Sequence, residues 1–109
     1  MRVMVANEPR SYRETISYAI AELRPGIEVL TVEPEDLDDE VLRVSPQLVV
    51  CSQVTDLVER EAPAWIELYP DLGSESVVSL DGQMTIYPDM DLDTILSIVD
   101  ETKRLCEGA

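Results

Sequence analysis

The segment Pro46-Gln47-Leu48-Val49-Val50-Cys51-Ser52 limits the folds open to this chain more than any other. Leu48 to Cys51 form an unbroken apolar run, entered from a proline and left through small polar residues. Such a run predicts a central parallel strand buried on both faces. Val3-Met4-Val5-Ala6 has the same character. Ligands of open parallel α/β sheets bind outside the carboxyl ends of the strands. At that end the 46–52 segment carries Cys51 and Ser52.

Periodicity supplies the elements between and after these strands. Tyr12, Ile16, Ala19, Ile20 and Leu23 recur at helical spacing, so a helix is predicted from about Pro9 to Leu23. Pro9 suits a first turn, Ser11 with Glu14 offers a capping box, and Pro25-Gly26 ends the helix. Residues 27–32 read as a second strand. Residues 33–40 hold six acids in eight positions. They contain no glycine for an oxygen-ligand loop, and Leu37, Val41, Leu42 and Val44 continue as a helix face. Acids also favour a first helical turn, so a helix N-terminus is preferred to a metal loop. A short helix capped by Thr55 follows, with Leu57 and Val58 facing inward, and Pro63 breaks it. Residues 64–69 read as a fourth strand and residues 71–76 as a loop. Asp81-Gly82 between two β-rich runs is the preferred two-residue hairpin turn. A last helix begins near Asp89 or Asp91, with Leu92, Ile95, Leu96, Val99, Leu105 and Cys106 on one face and Gly108 beyond its end.

The resulting order is β-α-β-α-β-α-β-β-β-α. It predicts an α/β three-layer sandwich with a central parallel sheet of order 2-1-3, extended at one edge by an antiparallel hairpin. With 109 residues the chain is expected to form one domain.

Charge narrows the partners. The chain has 23 acidic and 8 basic residues, a formal charge of −15. The basic residues form no tract, and nucleic acid and anionic membranes would repel the molecule. Neither is expected as a partner. No apolar run approaches a membrane span, and the first residues enter a strand directly, so a cytoplasmic location is expected. Histidine is absent, which removes histidine acid–base catalysis, histidine-activated nucleophiles and histidine-ligated metals. Cys51 and Cys106 form no CxxC motif and read as reduced, mostly buried thiols. The turn after the first strand, Asn7-Glu8-Pro9-Arg10-Ser11, has no glycine. It is therefore neither a dinucleotide fingerprint nor a P-loop, and no cofactor is expected.

Arg2-Val3-Met4-Val5-Ala6-Asn7-Glu8-Pro9, Arg13-Glu14, Pro25-Gly26-Ile27-Glu28-Val29 and Ser45-Pro46-Gln47-Leu48-Val49-Val50 together resemble the first half of a response-regulator receiver (CheY-like) domain. The resemblance implies a flavodoxin-like fold over residues 1–109. It also implies a site built from an acidic pair after strand one, an aspartate ending strand three, a Ser or Thr on strand four and a Lys on strand five. Counted from Pro46, the phosphoacceptor position falls on Ser52. The acidic pair falls on Ala6 and Asn7 when aligned on Pro9, or on Asn7 and Glu8 when aligned on Arg13-Glu14. The one lysine, Lys103, lies in the last helix, and the hairpin half departs from the family. The resemblance therefore implies a degenerate, pseudo-receiver domain.

If strands one and three are neighbours, Asn7, Glu8, Ser52 and Gln53 meet at the switch point of the sheet and form the candidate ligand crevice. Glu8 is the one metal-ligand candidate there. No residue is assigned as catalytic. The leading expectation is a non-catalytic regulatory or protein-interaction module that binds a protein partner or itself as a homodimer. Trp65, Tyr69 and Tyr87 are the interface candidates, with core packing an equal reading for Trp65. One alternative is a Mg²⁺-dependent or phosphoryl-ligand-binding activity at the crevice. Another is thiol-based redox sensing through Cys51. Acidic surroundings raise a thiol pKa, so a structural role for Cys51 is preferred.

Overall fold

A computed structural model describes residues 1–68 and 75–107. Along the chain, β1 (Arg2–Ala6), α1 (Arg10–Leu23) and β2 (Glu28–Thr31) are followed by a 3₁₀ turn at Pro34–Asp36 and by α2 (Leu37–Val44). Then come β3 (Leu48–Cys51), α3 (Asp56–Glu61), β4 (Ala64–Glu67), the hairpin β5 (Ser76–Leu80) and β6 (Gln83–Tyr87), and α4 (Leu92–Glu107). The fold is α/β. One six-stranded mixed sheet runs in the order β2-β1-β3-β4-β5-β6. The β1–β2, β1–β3 and β3–β4 pairs are parallel, and β4–β5 and β5–β6 are antiparallel.

Helices cover both faces, and strand alternation decides what each face buries. Val3, Val5, Leu48, Val50, Ala64 and Ile66 pack against Ile16 and Ile20 of α1 and Ile95 and Val99 of α4. Met4, Ala6, Val49, Cys51 and Trp65 pack against Leu37, Val41 and Val44 of α2 and Val58 of α3. Because β1 and β3 contribute to both clusters, their sequences are apolar at every position from Val3 to Ala6 and from Leu48 to Cys51. Arg24 at the end of α1 clasps Asp100 of α4 through two bonds of 2.7 and 2.9 Å, fixing the two helices of one face. That contact holds the Asp100 carboxyl below its ordinary range.

Several expectations need correction. Pro9 stands at the N-cap of α1 rather than in its first turn, and its carbonyl accepts the Tyr12 N–H at 3.0 Å. Ser11 lies inside the helix, so it caps nothing. The buried stripe of α1 is Arg13, Ile16, Ser17 and Ile20, whereas Leu23 is exposed. In α2, Leu37, Val41 and Val44 follow the inward stripe, and Leu42, one step round the helix, is 58% exposed. The inward stripe of α4 ends at Thr102, whose hydroxyl donates to the Ile98 carbonyl at 2.8 Å. Leu92, Leu105 and Cys106 are exposed, so only Cys51 of the two thiols is buried. The loop expected at 71–76 and the Gly108 stop lie in part or wholly outside the described residues.

The hairpin turn takes its expected form. Asp81 and Gly82 have φ values of 52° and 84°. Positive φ at both central residues is the I′ geometry, which matches strand twist and is the reason Asp-Gly is favoured there. Among the described residues, no helix is long and apolar enough to cross a membrane.

Candidate functional site

Strands β1 and β3 lie side by side, with Ala6 opposite Cys51. Their carboxyl ends bring Glu8, Ser52 and Gln53 to one crevice of about 270 Å³. Ala6, Pro34, Leu37, Cys51 and Thr55 complete its walls. A hydrogen bond joins its two sides, since the Glu8 N–H donates to the Ser52 hydroxyl oxygen at 2.9 Å.

Asn7 does not line this crevice. It lies one residue beyond the end of β1 and is fully buried. Its carbonyl accepts from Arg13 Nη1 at 3.3 Å. Among the described residues, neither its side-chain Oδ1 nor its Nδ2 has a hydrogen-bond partner. The candidate set therefore divides: Glu8, Ser52 and Gln53 share the opening, and Asn7 is buried outside its lining.

The floor of the crevice is Cys51. Burial in the α2/α3 cluster pushes its thiol up to about 12, and the nearby Glu67 carboxylate adds to the rise. The Gln53 backbone N–H offsets only part of it. This environment keeps the sulfur protonated, which is the opposite of what a reactive thiolate needs. Glu67 is held in place by the Val54 N–H, which donates to its Oε2 at 2.8 Å. The rim is fixed by Thr55. Its hydroxyl donates to Asp38 Oδ1 at 2.7 Å and accepts from the Val58 N–H at 3.1 Å, so it caps α3 and ties it to α2.

Chemically, the crevice offers one carboxylate, the two hydroxyls of Ser52 and Thr55, one amide and a protonated thiol. It has no cation among its lining residues. Among the described residues, no three His, Cys, Asp or Glu side chains converge to hold a metal ion.

Sequence reasoning missed Arg13. It is 4% exposed, and its Nη2 pairs with Glu33 Oε2 at 3.0 Å while Nη1 holds the end of β1. The spacing 13-16-17-20 carried the signal, but Arg13 and Ser17 are polar and hid the stripe. The interface candidates also separate. Trp65 is 4% exposed and packs with Val58 and Val49, so it belongs to the core. Tyr87 is half-buried against the α1/α4 cluster. Tyr69 lies outside the described residues.

An α/β domain with a crevice at the strand ends is thus the class that fold and site define. Compared with protein-family models, curated proteins and solved structures, the chain matches none.

Proposed function

We propose that this chain is a non-catalytic regulatory or protein-interaction module of receiver-like, flavodoxin-like build. The observation that carries this reading is the content of the crevice between the ends of β1 and β3. Glu8 is its single carboxylate, and the position where a receiver-like chain would hold its acceptor aspartate is Ser52. That hydroxyl already accepts a hydrogen bond from the Glu8 backbone. Phosphoryl transfer to a side chain needs an activated nucleophile and charge neutralisation by metal or cation. One carboxylate with no cation beside it supplies neither.

The test is a thermal melt of the full chain with Mg²⁺ and beryllofluoride, paired with intact-mass measurement after incubation with Mg²⁺ and acetyl phosphate. The reading expects an unchanged melting temperature and no added mass. A ligand that binds the folded state raises the melting temperature by mass action. A rise that Glu8→Ala abolishes, or a phosphoryl adduct, overturns the reading in favour of phosphoryl-ligand binding at the crevice.

A further inference from the structure

The two edges of the sheet are built differently. At the β2 edge, Glu28 pairs with Arg2 at 3.3 Å, and the chain runs on into the acidic residues 33–40. Charges of this kind keep an edge from pairing with another chain. The β6 edge has no such guard. Gln83-Met84-Thr85-Ile86-Tyr87 contains no charged residue and no proline. Among the described residues β5 is its only strand neighbour. Met84 and Ile86 are 63% and 62% exposed. They stand opposite Ser79 and Val77 in register, on the side of the sheet where the α2/α3 cluster reaches Trp65 and, on β5, Val77, but neither Met84 nor Ile86.

We propose that β6 is the docking strand for a second copy of this chain, added antiparallel across a two-fold axis at Thr85. This inference rests on the reading of the chain as an interaction module. The strand is self-complementary in that register. Thr85 meets its own copy, Met84 meets the partner's Ile86, and Gln83 meets the partner's Tyr87. The exposed apolar pairs of both copies then merge on one face, and polar pairs gather on the other, as favourable cross-strand pairing requires. An interface of this kind uses the same patch twice and closes on itself.

Charge selects the same surface. Each copy carries −15, so two copies repel wherever their acids face each other. Among the described elements, β6 is the exposed one with no charged side chain. Asp81 and Asp89, which flank it, oppose each other across the axis, so salt strengthens this dimer. A basic partner strand drawn to the acidic surround would show the opposite salt dependence.

Sedimentation equilibrium of the full chain tests the proposal at about 0.02 M and about 0.5 M NaCl, ionic strengths on either side of strong screening. The expected result is a mass rising from 12.2 kDa toward twice that value with concentration. The midpoint should fall by roughly tenfold at the higher salt. Ile86→Glu and, separately, Met84→Glu should restore the monomer with unchanged circular dichroism. Thr85→Cys in a Cys106→Ser background should cross-link to itself under copper-phenanthroline. A monomer under every condition, a dimer weakened by salt, or a dimer that survives both glutamate variants overturns the proposal. Failure here is a matter of mass, and failure of the module reading is a matter of phosphoryl uptake, so the two are separable.

Discussion

At the residue scale, Cys51 shows how position outweighs identity. Ending a central strand beside a crevice, it has the location of a nucleophile, but burial and Glu67 hold the thiol up at about 12. Cys106, on the outer face of α4, is exposed. A thiol reagent at pH 8 should therefore label one cysteine in the native protein and both after denaturation, with peptide mapping placing the native label on Cys106. Labelling of native Cys51 would restore the redox reading. The raised thiol also sets a pH dependence. Between the ordinary thiol value and about 12, the folded chain keeps a proton that the unfolded chain has lost. Stability is therefore undiminished below that window and declines as pH rises through it. Cys51→Ala should flatten this alkaline decline in urea unfolding measurements. Asn7 teaches a related lesson about strand ends. It lies one residue beyond β1 and is buried outside the crevice that its neighbour Glu8 lines, and the sequence places the end of a strand only to within a residue or two.

At the element scale, α3 is six residues long, too short to hold itself together without its cap and its packing. Thr55→Ala removes both the cap on the Val58 N–H and the tie to Asp38. The expected loss is about 1 kcal/mol, the ordinary value of an N-cap, read as a lower urea midpoint at constant slope. A Thr55→Ser variant, which keeps the hydroxyl, should recover most of it. This cap was legible in the sequence, as was the Asp-Gly turn, because each depends on residues within a few positions. The buried strands were legible for a similar reason: a strand covered on both faces must be apolar at every position. Arg13, Leu42 and Trp65 were not. The buried Arg13 is met by Glu33 and the Asn7 carbonyl, both outside α1, so neither partner is visible from its own helix. Leu42 differs from Val41 only by a step of rotation. The local sequence of Trp65 suits core and interface alike, and it is α3, through Val58, that places it in the core. The crevice was legible as a place, since strand ends mark it, but its walls also take in Pro34, Leu37 and Thr55, which only folding brings to Glu8 and Ser52.

At the scale of the whole molecule, charge is the dominant unspent force. With 23 acids and 8 bases, carboxylates outnumber cationic side chains by fifteen. The ion pairs among the described residues mostly join partly exposed groups, such as Arg10–Glu14 and Arg43–Glu40, and pairs of that kind contribute little. Mutual repulsion among the remaining acids is therefore the larger electrostatic effect at neutral pH, and it opposes the compact state. Added salt weakens both terms, but the repulsion is the greater loss, so the sign is set: NaCl should stabilise the fold. The expected rise in melting temperature between about 0.02 M and about 0.5 M NaCl is on the order of 5 °C, corresponding to roughly 1 kcal/mol for a domain of this size. The measurement belongs on Ile86→Glu, which is expected to be monomeric, so that any gain from self-association at β6 is removed from the salt effect. A melting temperature that falls with salt in that variant would mean that paired charges outweigh the unpaired ones. If it rises there and rises further in the unsubstituted chain at high concentration, screening acts on the monomer and on the meeting of two copies alike.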